Sequence, residues 1–395
     1  MFLKPDVAMA LDAETRTQLI ESVSRFVAER LVPIEDDVAR NDRVPDAIVQ
    51  EMRELGLFGL SIPQEFGGLG LSMEEEVLVC FELGKTSPAF RSVIGTNVGI
   101  GSQGLVMFGR PEQKTHWLPK IASGEVIASF CLTEPGAGSD AASLRTTAIR
   151  KGNHYVVNGT KRYITNANKA GAFTLMARTD PANKGAGGIS AFFLPSNLKG
   201  ITIGKPERKM GQQGAHICDV IFEDCEVPAE CLIGAKEGEG FKLAMQVLDR
   251  GRLHISAVCT GVADRLVADS VRYASERQQF GQAIAEFQLI QGMLADSKTE
   301  AYAMRCMVLE TARKRDAGAN ISLEASACKL FASEAVGRIA DRNVQIHGGA
   351  GYVSDYAAER FYRDVRIFRL YEGTSQIQQV VIAKNLLRAV KEGRP

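Results

Sequence analysis

Phe130-Cys-Leu-Thr-Glu-Pro-Gly-Ala-Gly-Ser-Asp140 is the stretch from which the rest of the chain is read, because it leaves an apolar β-rich run and enters a loop with two glycines. Pro-Gly and Gly-Ser pairs make ordinary β-turns. The same loop can also aim several backbone amides and the hydroxyls of Thr133 and Ser139 at one polar ligand. Around it, short β-rich runs at 126–132, 154–157, 173–177, 189–194 and 220–222 are separated by turn chemistry, which predicts a compact β domain. Asn158-Gly159 reads as a tight turn, and 185–188 as a flexible glycine loop.

On both sides of this domain the hydrophobic period is helical. Toward the N-terminus, Asp12 is positioned to cap a helix whose apolar stripe runs through Leu19, Val23, Phe26 and Val27. Ser72 and Glu75 have capping-box spacing, Pro111 suits a first helical turn, and 63–70 is a turn-rich connector. Toward the C-terminus, long helical segments near 240–275, 287–316, 321–346 and 374–391 imply a bundle. The expected fold class is α+β in three domains: helical over 1–125, β over 126–235, and a helical bundle over 236–395. Strands and helices do not alternate, so a doubly wound nucleotide-binding sheet is not supported.

The 395 residues give ample volume for a buried core, and 47 basic against 47 acidic side chains leave no electrostatic argument for nucleic acid or an anionic membrane. Eight scattered cysteines without a Cys-x-x-Cys pair suggest neither a zinc site nor a disulfide framework, and fit a reducing compartment. The histidines at 116, 154, 216, 254 and 347 stand far apart, so no metal is expected. Residues 1–6 lack the apolar run of a signal peptide, the first thirty carry too many acids for a transit peptide, and no run can span a bilayer. A bacterial cytoplasmic setting is expected.

Near the C-terminus, Tyr371-Glu-Gly-Thr-Ser-Gln-Ile-Gln378 sets the carboxylate of Glu372 before a glycine and a helix start. A carboxylate there can abstract a proton, Gly373 allows close backbone approach, and Thr374 and Ser375 supply hydroxyls and free donors. Read alone, Glu372 is better explained as a surface residue at the positive end of a helix dipole, and the rest of the chain reverses that preference.

Three separated motifs, 132–140, Asn158-Gly-Thr-Lys-Arg-Tyr-Ile-Thr-Asn166 and 371–378, together resemble the acyl-CoA dehydrogenase family. Glu276-Arg-Gln-Gln-Phe-Gly281 and Gln345-Ile-His-Gly-Gly349 fall between the last two, so the resemblance spans nearly the whole chain. It implies a helical domain, a β-barrel-like middle domain and a four-helix bundle around non-covalent FAD, in a homotetramer built as a dimer of dimers. Phe130, Cys131, Leu132, Thr133, Gly138, Ser139, Tyr163, Ile164 and Thr165 resemble the wall around the flavin ring, with tyrosine at 163 where members commonly have tryptophan. Arg277 and Phe280 are similar to residues that reach the FAD of a neighbouring subunit. Gln288, Gln345, Gly348, Gly349, Thr374 and Gln376 fall in matching cofactor segments.

For the substrate, Asp249, Arg250, Gly251 and Arg252 resemble the acyl-CoA contact segment, with Ser139 and Gly373 as further contacts. Without the resemblance the same quartet reads as a helix face with local ion pairs. Some branches place the base at the position of Gly251, so here Glu372 is the expected base. The Asp-x-Gly-Arg setting is similar to short-chain members. The implied reaction is α,β-dehydrogenation of a short- or medium-chain acyl-CoA to trans-2-enoyl-CoA, with electrons passed to an electron-transfer flavoprotein. An acyl-CoA oxidase and a non-catalytic CoA-binding scaffold are the other readings. Arg91, in Ser-Pro-Ala-Phe-Arg-Ser, resembles the arginine of glutaryl-CoA dehydrogenases and points to a dicarboxylyl-CoA as runner-up substrate. Against that, the glutaryl branch adds a glutamate where this chain has Gly84, and the sequence after Glu372 is more similar to short-chain members; Arg91 can also pair with a nearby acid such as Glu82 or cap a helix.

Overall fold

The computed structural model describes residues 11–234 and 236–393; residues 1–6, read above for a leader, and residue 235, at the expected domain boundary, lie outside the described residues. The first part of the chain forms α1 (Ala13–Phe26), α2 (Glu35–Asn41), α3 (Asp46–Glu54), α4 (Met73–Leu83), α5 (Pro88–Val98), α6 (Gln103–Phe108) and α7 (Pro111–Ala122). Side-chain capping sets several of these starts. Asp12 accepts from the Glu14 and Thr15 amides, while Ser72 and Glu75 form a reciprocal capping box at α4. Pro111 occupies the first turn of α7, where its missing N–H costs nothing.

The middle of the chain forms β1 (Ala128–Cys131), β2 (Thr147–Lys151), β3 (His154–Thr165), β4 (Ala172–Arg178), β5 (Ile189–Pro195), β6 (Ile201–Ile203) and β7 (Ile217–Pro228). They make one sheet in the order β1-β4-β2-β3-β7-β6, with β5 joined to β4. Its core is Tyr155, Val157, Phe173, Leu175, Phe192 and Phe222. Asn158-Gly159, expected as a turn, lies inside β3. There the register with β7 slips between Val157 and Gly159, and Gly159 takes φ +148° as part of a bulge. A Cβ at 159 would stand 2.7 Å from the Thr146 Cα, so close backbone approach explains this glycine. The hairpin turn between β2 and β3 falls at Gly152, φ +63°.

After the sheet come α8 (Gly240–Glu276), the short pair β8 (Gln278–Gln279) and β9 (Gln282–Ala283), α9 (Gln288–Asp316), α10 (Ser322–His347), α11 (Ala358–Asp364) and α12 (Ser375–Lys391). α8, α9 and α10 pack on one another, and α8 and α9 on α4, around Leu253, Val258, Val262, Met304, Val336 and Phe361, while α12 lies on α10. Glycines bring α4 and α8 unusually close. A Cβ at Gly84 would stand 2.5 Å from the Val258 carbonyl oxygen, and one at Gly261 2.8 Å from the Gly84 Cα. This crossing fixes the height of α8 beneath the turn at 371–374. Together the elements form a helical part, one sheet and a helix bundle, mixed α+β as expected.

Candidate active site

Glu372 sits in the turn between α11 and α12 with φ +52°, followed by Gly373 at φ +92°. Two successive left-handed residues fold the backbone sharply enough to set the carboxylate over α8. The turn is pinned from several sides. Thr374 caps α12 by accepting from the Ile377 amide at 3.3 Å, and the buried Gln378 donates to the Glu372 carbonyl at 3.1 Å and the Gly373 carbonyl at 3.0 Å. Lys329 of α10 donates to the Gly373 carbonyl at 2.6 Å.

The carboxylate fits because residue 251 is glycine. A Cβ there would stand 3.1 Å from Glu372 Cδ and nearer still to Oε2. That oxygen is sealed from solvent and has no hydrogen-bond partner, and the Glu372 N–H donates to no group of the described chain. Burial pushes the Glu372 carboxyl above the usual carboxylate range, opposed by Arg91, Lys329, His254 and Arg252 in falling order. An enclosed, unpartnered carboxylate beside a free backbone donor can take a proton from a carbon acid while the donor stabilises the charge that develops on an adjacent carbonyl.

The sequence-derived substrate segment divides in two. Arg252 is buried beside the base, with Nη1 on Asp249 Oδ1 at 2.7 Å and Nε 3.4 Å from the Glu372 carbonyl. Arg250, of the same segment, is buried and ion-paired with the fully buried Glu76 of α4. Glu76 also holds His254 at 2.6 Å, and burial alone would raise its carboxyl, but Arg250 and His254 more than reverse this. Burial likewise presses the His254 imidazole down, and Cys80 and Glu76 lift it above its ordinary value. The expected pairing of Arg91 with Glu82 is absent, since Glu82 accepts from Lys85 at 2.7 Å. The Arg91 guanidinium lies over Gly95 of its own helix and has no hydrogen bond or ion pair among the described residues.

The residues assigned to a flavin gather at the end of the sheet. Phe130, Cys131 and Leu132 are buried at the exit of β1, and Ile164 is buried in β3. Thr133 and Thr165 are half-buried, and Gly138 and Ser139 are exposed. The Thr133 carbonyl accepts from the Arg162 amide at 2.8 Å, joining the two motifs. Beneath them, buried Lys161 donates to Glu134 at 2.8 Å and to the Leu132 carbonyl at 3.1 Å. Tyr163 takes φ +59° and is 53% exposed, with Arg162 stacked 4.9 Å from its ring centre. The hydroxyls of Thr133, Ser139 and Thr165 make no hydrogen bond among the described residues, and a Cβ at Gly136 or Gly138 would meet nothing within 4 Å. An exposed ring, free hydroxyls and an open glycine loop suit a flat cofactor with polar edges.

Arg277 and Phe280 lie away from Glu372, at the far end of α8. Arg277 is exposed, and Phe280 is 92% exposed with φ +53°. Gln288, Gln345, Gly348, Gly349 and Gln376 are exposed as well, so within one chain these residues do not close around a common centre. Residues that sequence reasoning missed are Lys329, His254, Glu76 and Gln378 beside the base, and the Lys161–Glu134 pair under the loop. A signal existed for Lys329, which falls on the buried face of α10 with Ala325, Ala332 and Val336.

Sequence models of the acyl-CoA dehydrogenase N-terminal, middle and C-terminal domains match residues 13–125, 129–225 and 238–387. An acryloyl-CoA reductase (NADH) of Anaerotignum propionicum is 42% identical over 378 residues, covering 95% of this chain and 95% of that protein. The caffeyl-CoA reductase-Etf complex subunit CarC of Acetobacterium woodii is 39% identical over 375 residues, covering 94% and 98%. The solved structure of butyryl-CoA dehydrogenase from Megasphaera elsdenii has a TM-score of 0.92 at 33% identity, covering 96% of this chain and 100% of its own.

Proposed function

Because the chain belongs to the acyl-CoA dehydrogenase family of FAD-dependent oxidoreductases, we propose that it converts a short- or medium-chain acyl-CoA to the trans-2-enoyl-CoA, with Glu372 as base and an electron-transfer flavoprotein as partner. The observation that carries this reading is the Glu372 carboxylate, enclosed against Gly251 with Oε2 unpartnered and the residue's own N–H free. Burial makes the ionised carboxylate a stronger base, and each pKa unit is worth about 1.4 kcal/mol.

In this mechanism Glu372 takes the proton from the substrate α-carbon, and its backbone N–H donates to the thioester oxygen as enolate charge develops. FAD, when bound, supplies the acceptor for the hydride that leaves the β-carbon. Phe130, Leu132, Thr133, Tyr163, Ile164 and Thr165 hold it, and Ser139 and Arg252 border the substrate. The same base returns the proton when the reaction runs toward the acyl-CoA, so reductase names among the relatives are compatible with the same side chains. Association with an electron-transfer flavoprotein is supported by the relative named as part of an Etf complex.

Homotetramer formation belongs to the same proposal. Arg277, Phe280 and Gln288 are exposed on one side of the α8–α9 connection, suited to a cofactor held by another subunit. The described residues hold no helix long and apolar enough to cross a membrane; a cytoplasmic setting is proposed with the rest.

Anaerobic bleaching of the flavin across straight, branched and carboxylated acyl-CoAs tests the reaction. A holoenzyme that none of them bleaches removes it, and oxygen consumption during turnover would assign the protein as an oxidase. A dicarboxylyl-CoA is the second reading, favoured by the unpaired Arg91 guanidinium beside the base. Against it, Gly84 packs so tightly on Val258 that a glutamate has no room there. The measurement that separates them is kcat/KM for butyryl-CoA against glutaryl-CoA, in wild type and Arg91→Met. A glutaryl preference lost in the variant establishes the clamp, and absence of glutaryl turnover in wild type eliminates it.

A further inference from the structure

Lys329 has no exposed surface and lies among Ala325, Cys328, Ala332 and Val336 on the inner face of α10. A lysine buried there is strongly disfavoured unless its charge meets a specific partner. Its Nζ reaches one carbonyl, that of Gly373 at 2.6 Å, the residue after the base. No carboxylate lies within ion-pair distance of it among the described residues, so its charge is not consumed by a structural salt bridge. Among carboxylates, the one that acts on it most strongly is Glu372.

Resting on the reading of Glu372 as base, we infer that Lys329 is a positioning residue for it. Its ammonium seats the 372–373 turn through the Gly373 carbonyl and supplies counter-charge that keeps the carboxylate ionised. The two functions are separable. A hydrogen bond to Gly373 fixes where the carboxylate points, and needs only an N–H. Counter-charge sets how readily the carboxylate holds a proton before substrate arrives, and needs the positive charge.

The groups facing the Lys329 ammonium are Cys259 and Arg252 of α8, Glu334 of its own helix, and Glu372. Those facing the Glu372 carboxylate are Arg91 of α5, His254 and Arg252 of α8, Lys329, and its neighbour Tyr371. His254 and Arg252 are already engaged by Glu76 and Asp249, and Arg91, the largest charge acting on the carboxylate, donates no hydrogen bond to the turn among the described residues. Lys329 alone among these cations acts on the base and also grips the turn that carries it by a hydrogen bond shorter than 3 Å. Burial pushes Lys329 down to about 8, which marks the strain of keeping the charge there.

The test is the pH dependence of kcat/KM for butyryl-CoA in the holoenzyme, for wild type, Lys329→Gln and Lys329→Met. Glutamine keeps an N–H for Gly373 but loses the charge, while methionine loses both. An acid limb reports ionisation of the base. Without the counter-charge the carboxylate holds its proton to higher pH, so the limb moves upward in both variants by at least about half a unit, equivalent to about a threefold extra loss at acid pH. The plateau falls further in Lys329→Met than in Lys329→Gln. A limb that stays in place in Lys329→Gln overturns the electrostatic role whatever the plateau does, and a Lys329→Met plateau equal to that of Lys329→Gln overturns the seating role. If Lys329→Met does not retain flavin, Lys329→Gln still decides the first point. Wild-type enzyme that no acyl-CoA bleaches sinks the functional reading itself, a result visible before either variant is made.

Discussion

Gly251→Ala should leave the protein folded and deprive it of a usable base. The new Cβ would stand 3.1 Å from Glu372 Cδ and 3.3 Å from Ile100 Cγ2, inside the 3.4–4 Å range of ordinary contact, with Oε2 closer still. Relief requires the carboxylate to retreat by about 1 Å, a misplacement that costs on the order of 100-fold in rate. That factor corresponds to about 2.7 kcal/mol of barrier. Folding is affected much less, because the displaced atoms end a flexible side chain and alanine is about 1 kcal/mol better than glycine inside a helix. Stopped-flow flavin reduction by butyryl-CoA, measured without oxygen, should fall by about two orders of magnitude, while flavin content and melting temperature stay close to wild type. A reduction rate within about threefold of wild type, less than 1 kcal/mol of barrier, would refute the packing argument and with it the claim that glycine makes room for Glu372.

Glu372→Gln should keep FAD and lose flavin reduction, since the near-isosteric amide cannot accept a proton; normal single-turnover reduction would place the base elsewhere. Arg277→Ala should lower flavin content and destabilise the oligomer, and an unchanged flavin ratio together with unchanged mass in solution would end the proposed intersubunit role. Asp364 is buried, with Oδ1 accepting from the Gln212 amide and Oδ2 unpartnered, and burial raises its carboxyl from 3.8 to about 6. The folded state therefore binds this proton more tightly than the unfolded chain. The resulting stability is full below about 4 and is lost as pH rises through about 6. Asp364→Asn should flatten that fall in melting temperature, and an identical slope in the variant would contradict the assignment.

Much of the fold was legible because local chemistry agreed with tertiary packing. Asp12, the Ser72–Glu75 box and Pro111 start helices where their side chains predict, and α9 and α10 lie within two residues of the periodic segments. Legibility failed where a long-range approach overrode a local preference. Asn158-Gly159 has hairpin chemistry, yet Gly159 is needed against Thr146 inside a twelve-residue strand. β2 and β6 escaped notice because Thr147–Lys151 and Ile201–Ile203 carry few apolar residues or are short. At the candidate site, Glu372 as the expected base could be anticipated from the motifs, but not the room that Gly251 leaves for its carboxylate. Nor could the buried ions. Arg250 and Arg252 are two residues apart on one helix, and nothing local says that one turns toward Glu76 of α4 while the other stays beside the base.

The glycine crossing of α4 and α8 makes the base and the helices around it one mechanical unit. α4 carries Glu76, which fastens Arg250 and His254 of α8 on either side of Gly251. Any side chain at Gly84 or Gly261 would act as a spacer, lifting α8 and carrying the floor under Glu372 with it. Efforts to reshape this region for a different acyl group would therefore trade selectivity against turnover unless the spacer positions are left alone. Changes on α5 away from Arg91, which bears on the base, offer the route by which recognition can drift while the floor under Glu372 stays in place.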